Sequence, residues 1–116
     1  MADADFSHGN PTMNNHTPSV AVAAGEVVDS DVTPLVAHNA IEANRLGSLS
    51  SGGGVYGIIT AGVYVEGDLV YWDDTAKKVT TTATSNEVFG KMVEVSTTGG
   101  RHLVHHMPTG LATADA

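Results

Sequence analysis

The sequence predicts an all-β fold, arranged as a small barrel or sandwich of short strands. Valine and threonine, which suit extended backbone, recur throughout the chain of 116 residues. Thirteen glycines divide it at short intervals, as the turns between strands require. No segment has the apolar period of a long amphipathic helix, and the length is that of one domain.

Each expected strand is an apolar or β-branched run bounded by turn residues. In chain order the strands are expected near residues 19–23, 26–29, 34–38, 45–49, 55–59, 68–72, 78–82, 88–95 and 101–107. The turns between them are marked by Gly25, "DSD", "HNA", "SSGGG", "AG", "EGD", "DDTAK", "TSN" and "TTGG". A single turn near 40–44 is the only helical candidate.

The ends of the chain differ from its middle. Residues 1–18 are rich in Asn, Pro, Thr, Ser and His and show neither strand nor helix periodicity. We interpret them as an extended arm that becomes ordered when something holds it, with Phe6 and Met13 as residues that could dock into a neighbour. A simply disordered tail is the alternative. Residues 19–108 form the β domain in this interpretation, and 109–116 a short loose tail.

A short pattern recurs in the middle of the chain, as "VAAGEV" (22–27), "IEANRL" (41–46) and "ITAGVY" (59–64). Gly25, Asn44 and Gly62 occupy the same place in the three copies. Gly and Asn accept a positive φ more readily than other residues, so each copy predicts a strand, a tight turn and a second strand.

The stretch "VYWDDTAKKVTT" (70–81) contains the only tryptophan and an adjacent pair of carboxylates. Alternation places Val70 and Trp72 on one strand face and Tyr71 on the other. The "DDTAK" that follows is typical of a hairpin loop, because Asp hydrogen-bonds nearby backbone N–H groups. A catalytic acid pair needs two different environments, whereas an exposed turn surrounds both carboxylates with water.

Three of the six histidines lie in the last strand, "RHLVHH". His102 and His106 share one face and His105 lies on the other, with His102 and His106 about 13 Å apart. One strand alone therefore cannot bring two of them to one metal ion, although a neighbouring subunit could complete a site. Interface histidines, which could make assembly depend on pH, are the simpler interpretation.

Several functions are disfavoured by composition. The net charge is −8, with ten acidic and one basic residue through Asp74, so the chain repels phosphate backbones and no nucleic-acid partner is expected. No cysteine is present, and no apolar run or leader suggests a membrane partner or secretion. No catalytic motif or P-loop occurs, and "GGGVYG" lacks the following helix that a dinucleotide site needs. We therefore expect no enzyme activity and no cofactor.

The middle of the chain resembles a known family in "AVAAGEVV", "VAHNAIEANRLGSLSSGGGVYGI", "AGVYVEGDLVYWDDTAKKVTTTATSNEVFGKMVEV" and "RHLVHH". The most specific part is G-D-x-V-Y-W-D followed by K-x-V-T-T and Gly. These stretches are similar to the capsid cement, or head decoration, proteins of tailed bacteriophages, over about residues 6–107.

The resemblance implies a small β-barrel or β-tulip domain with an N-terminal arm. It implies homotrimers on the outer surface of an expanded phage capsid, where they clamp neighbouring major capsid protein subunits, and synthesis in the bacterial cytoplasm. Candidate contacts to capsid or neighbouring subunits are Phe6, Met13, Tyr71, Trp72, His102, His105 and His106. A carbohydrate-binding or adhesive module using Tyr71, Trp72 and the Thr-rich strand is an alternative, and a small acid- or metal-dependent hydrolase is the enzyme alternative.

Overall fold

Ten strands form two antiparallel sheets in the part of the chain that the computed structural model describes, residues 3–29, 34–84 and 86–107. The strands are β1 (Ala4–Gly9), β2 (Met13–His16), β3 (Val27–Asp29), β4 (Pro34–Val36), β5 (Gly47–Ser50), β6 (Gly54–Ile59), β7 (Leu69–Asp73), β8 (Lys78–Thr80), β9 (Glu87–Met92) and β10 (Arg101–His106). The all-β prediction is confirmed.

The N-terminal segment supplies an edge strand to each sheet. The six-stranded sheet has the order β1-β6-β10-β9-β7-β8, and the four-stranded sheet has the order β2-β5-β4-β3. The larger sheet curls, so that an isolated parallel bridge joins Thr60, just after β6, to Val79 of β8. Within the described ranges this single bridge does not make a closed barrel.

The main core lies between the two sheets. Its largest side chains, Trp72, Tyr56 and Phe89, are each at most 1% exposed. They come from β7, β6 and β9 of the larger sheet, and they pack with Val27 and Val36 of the smaller one. A second, smaller cluster lies on the four-stranded sheet and consists of Val22, Ala37, Ile41 and Leu49. Burial of these apolar groups is the main source of stability.

Eight of the nine expected segments contain a strand, with bounds that differ by a few residues. The prediction at 19–23 is wrong, because only Val22 pairs there, through an isolated bridge to Ile41, before the chain turns at 23–26. The segment 40–44 is a turn rather than a helix, with a hydrogen bond from Arg45 N–H to the Glu42 carbonyl. Residues 1–18, expected as an arm, contain β1 and β2, and the expected tail 109–116 lies outside the described residues.

Four turns share one backbone form, in which the fourth N–H donates to the first carbonyl and the third residue has a positive φ, as in a type II turn. They span 23–26, 42–45, 65–68 and 97–100, with Gly25 (φ 82°), Asn44 (φ 62°), Gly67 (φ 93°) and Gly99 (φ 79°) in third place. Each turn comes one or two residues before a strand, namely β3, β5, β7 and β10.

The predicted positive φ is therefore confirmed at Gly25 and Asn44 and wrong at Gly62. The turn in the third copy lies farther along the chain, at Gly67. There Asp68 accepts a hydrogen bond from the N–H of the first turn residue, 2.9 Å away, as Glu26 does in the 23–26 turn. A positive-φ residue followed by a carboxylate is thus the signal that identifies these two turns.

Gly90 lies on β9 where the backbone of the adjoining segment leaves no room for a side chain. A Cβ built there would overlap the carbonyl oxygen of His105 and lie 2.8 Å from the Met107 nitrogen. Both are backbone atoms of the adjoining chain segment, so they cannot move aside without distorting the ladder between β9 and β10.

We therefore expect Gly90→Ala to lower the free energy of unfolding by about 1–3 kcal/mol or more, as overpacking does in closely packed cores. Gly57→Ala on β6 is the matched control, because its nearest neighbour would be the flexible Arg101 side chain at 3.4 Å. That variant should be destabilised clearly less than Gly90→Ala, because a flexible side chain can move aside. Urea denaturation of both measures the difference, and equal stabilities would contradict the overlap.

Candidate binding surfaces

Large apolar side chains remain exposed in three places on the described surface. Phe6 and Met13 lie on the N-terminal edge strands, Val20 and Leu46 flank the smaller cluster, and four valines lie on two neighbouring loops. The four are Val63, Val65, Val93 and Val95, here called the valine end. Exposed apolar groups that lie together are typical of protein interaction sites.

Phe6 links the exposed edge of the larger sheet to the buried rings behind it. The residue is 45% exposed, yet its ring centroid lies 4.8 Å from that of His38 and 5.5 Å from that of Tyr56. A groove of about 590 Å³ runs beside these rings, between β1 and the segment after β4. Met13, on β2, is exposed at the outer edge of the other sheet.

A hydrogen bond of 2.6 Å joins His38 Nε2 and the Tyr56 hydroxyl beneath Phe6. Burial lowers the pKa of His38 and raises the pKa of Tyr56, so both groups favour their neutral forms. A neutral pair of this kind holds two rings in place and carries no charge that would activate a nucleophile.

Trp72 and His106, both predicted contact residues, lie inside the domain. Trp72 is 1% exposed, and its indole N–H donates to Asp74 at 3.0 Å. His106 is 0% exposed, and its Nε2 donates to the Pro34 carbonyl at 2.8 Å. As these side chains are placed, neither can reach another protein.

The "DDTAK" segment is a hairpin loop between β7 and β8, as predicted. Asp73 accepts hydrogen bonds from the Thr75 and Ala76 N–H groups at 3.1 Å each. Burial by itself would raise the pKa of Asp74, but its hydrogen bonds with Lys77 and Trp72 lower it overall. Both carboxylates therefore hold the turn together. Tyr71 is half-buried on the face opposite Trp72, so the two rings cannot stack on one sugar.

The other two histidines of the last strand are more accessible. The His102 side chain is 20% exposed and lies 3.2 Å from Glu94. His105 is half-buried on the opposite face of β10. Among the described residues, no cluster of three or more His, Asp or Glu side chains could hold a metal ion. The strand therefore directs its three histidines to three different surroundings.

The valine end was missed by sequence reasoning. Backbone hydrogen bonds join the loops 62–68 and 92–96, from Gly67 to Met92 and from Ser96 to Tyr64. The buried Ser96 hydroxyl donates to the Gly62 carbonyl and accepts from the Tyr64 N–H, each at 2.9 Å. The "VYV" and "VEV" sequences are the available signal, but alternating valines fit a buried strand face equally well.

The described part of the chain contains no helix long and apolar enough to cross a membrane.

A second groove, of about 530 Å³, lies on the four-stranded sheet beside Asn15, Glu42, Arg45 and Leu46. Its Arg45–Glu42 ion pair is 4.0 Å long and largely exposed, so it orders the groove weakly.

The described residues thus form a two-sheet β domain with a packed core and exposed apolar side chains along its edges. Comparison with known proteins gives the family: the model of the phage cement proteins matches residues 6–107, and the chain belongs to this family. The family is structural and associated with the phage capsid, and it is not an enzyme family. No significant match was found among the curated proteins or the solved structures.

Acid should destabilise the fold through His106. Burial lowers its pKa from the usual 6.5 to about 4; the hydrogen bond to Pro34 opposes this shift, and the charges of His105 and His38 add to it. Its Nδ1 has no hydrogen-bond partner among the described residues. Between these two pKa values, His106 binds a proton in the unfolded chain but not in the folded chain. Stability should be fully present above pH 6.5, decline as the pH falls towards 4, and level off below; the loss is about 3 kcal/mol.

His106→Gln tests this effect, because the amide can still donate to Pro34 but does not titrate. The substitution will itself lower the free energy of unfolding at neutral pH. The quantity to compare is therefore the change in this free energy between pH 7 and pH 4, measured by urea denaturation. A smaller acid-induced loss in the variant is expected. Identical losses in the two proteins would show that other groups cause the acid sensitivity.

Proposed function

We propose that this protein binds the outer surface of an expanded phage capsid as a homotrimer and holds neighbouring major capsid protein subunits together. Membership of the phage cement family over residues 6–107 carries the proposal. A cement protein needs a stable body and several adhesive surfaces rather than a reactive centre. In a trimer, three weak contacts become one strong attachment through their effective concentration.

The N-terminal edge is proposed as the surface that meets the capsid. Ala4 is the only residue of β1 or β2 in the described core, so these strands are held mainly by backbone hydrogen bonds. Their outer edges lie at the borders of both sheets, where another strand can add. Residues 1–18 are the proposed arm, followed by a domain over 19–108 and a tail over 109–116.

Five predicted contact residues remain in the proposal, and two are left out. Phe6 and Met13 belong to the N-terminal edge, and Tyr71, His102 and His105 are partly accessible. Trp72 and His106 are omitted because the core of the chain encloses them. The curl of the larger sheet towards Thr60 and Val79 supports the idea that the family's barrel-like body is present in opened form.

The valine end is proposed as the contact between copies in the trimer. Ser96 fastens its two loops to each other, so the surface is preformed, unlike the edge strands. Val63, Val65 and Val95 are each more than half exposed, and covering them from water favours association.

Deletion of residues 1–18 should leave a folded domain that no longer decorates capsids. The core loses only Ala4, so circular dichroism should show a β fold with a reduced melting temperature. Binding is measured as occupancy of purified expanded capsids. The full-length double variant Phe6→Ser with Met13→Ser is the matched control that keeps both strands, and it should bind at least tenfold more weakly. Normal occupancy by the truncated protein would refute the proposed capsid contact.

The double variant Val65→Ser with Val95→Ser should weaken self-association while leaving the fold intact, because both side chains are exposed. Sedimentation equilibrium measures the trimer, and Val20→Ser is the control at an exposed valine elsewhere. We expect the trimer dissociation constant to rise at least tenfold for the first variant and to change little for the second. An unchanged trimer in the Val65/Val95 variant would exclude this surface as the subunit contact.

A further inference from the structure

The ring of His102 lies between a carboxylate and a tight turn at the start of β10. Its Nδ1 is 3.2 Å from Glu94 Oε2. Its Nε2 is 3.1 Å from the backbone nitrogen of Thr97 and 3.2 Å from the Thr97 hydroxyl. Thr97, the first residue of the 97–100 turn, is therefore held by the His102 side chain of the strand that follows the turn.

These partners determine which nitrogen carries the proton. A backbone N–H can only donate, so Nε2 must accept the hydrogen bond from Thr97. An ionised carboxylate can only accept, so the Nδ1–H group donates to Glu94. The Leu103 N–H also donates to Glu94, at 3.0 Å, and lowers the pKa of this carboxyl, with a further contribution from His102. Glu94 therefore stays ionised where an imidazole titrates.

The turn held by His102 is connected to the curl of the larger sheet. Gly99 N–H donates to the Thr60 carbonyl, and Thr60 N–H donates to the Gly100 carbonyl, both at 3.0 Å. The buried Thr60 hydroxyl donates to the Thr97 carbonyl, and the Thr60 backbone bridges to Val79 of β8. A Cβ on Gly100 would lie 2.9 Å from His102 Nε2, so the ring and the turn are in close contact.

We propose that His102 is a pH-dependent latch on the 97–100 turn. In its neutral form, Nε2 accepts the Thr97 N–H and holds the turn against the end of the sheet. A proton on Nε2 replaces this acceptor with a donor, so the Thr97 N–H loses its partner and the turn loosens. The Thr97 hydroxyl can rotate to accept from the charged ring, whereas the backbone N–H has no such freedom.

The groups around the ring are consistent with this behaviour. The extension of β9 presents the Glu94 carboxylate to the ring, and the turn presents the uncharged Thr97 and Gly100. On β6 the register partner of His102 is Ile58. The neighbouring Arg101 directs its guanidinium to the Gly57 and Asp3 carbonyls and to Asp5.

Nuclear magnetic resonance of the full chain tests the proposal without a substitution. Near pH 8, imidazole ¹⁵N spectra should show His102 protonated at Nδ1 and unprotonated at Nε2. When the pH is lowered from 8 to 5, the protection factor of the Thr97 amide against hydrogen exchange should fall about tenfold, the scale of one lost hydrogen bond. A proton on Nε2 at pH 8, or a constant protection factor, would overturn the proposal.

His102→Gln provides the variant test, because its amide oxygen can accept the Thr97 N–H at any pH. Thr97 protection in this variant should not change across the same pH range. His105→Gln, on the opposite face of the same strand, is the matched control and should retain the tenfold fall. If the Thr97 amide of the His102 variant still lost its protection against hydrogen exchange in acid, a group other than His102 would be opening the turn.

Discussion

The fold depends on the contact between the two sheets, which one buried and one partly buried hydrogen bond orient. His106 of β10 donates to Pro34 of β4, and Tyr56 of β6 bonds to His38 just after β4. Each bond satisfies a polar atom in an otherwise apolar layer, and a buried polar atom without such a partner is costly. Apolar burial therefore supplies most of the stability, while these two bonds select one relative placement of the sheets.

A division between body and surface follows from this arrangement. The largest rings, Trp72 and Phe89 among them, are enclosed by the chain itself and form the centre of the main core. The N-terminal strands contribute backbone pairing and little apolar burial, so their exchange for another contact costs the core little. A packed body with weakly buried edge strands suits a protein whose family is associated with the phage capsid.

Charge has a local role in this acidic chain. Several carboxylates accept hydrogen bonds from turn backbone, as Glu26, Asp68 and Asp73 do, and Glu94 braces β10 in the same way. An ionised oxygen accepts strong hydrogen bonds from N–H groups, so these side chains order the connections between strands. The acidic residues are thereby explained in part by turn formation, independently of any charged partner.

The sequence by itself determined the all-β class, most strand positions, the Asp73–Asp74 turn and the family, because alternation and turn chemistry act over a few residues. It placed Val70 and Trp72 on one face but could not say that this face is the buried one. The pairing of β1 with β6, the burial of His106 and the exposure of the valine end were decided by tertiary structure alone. The physical reason is that each depends on which distant segment lies alongside, and local sequence patterns carry no information about that neighbour.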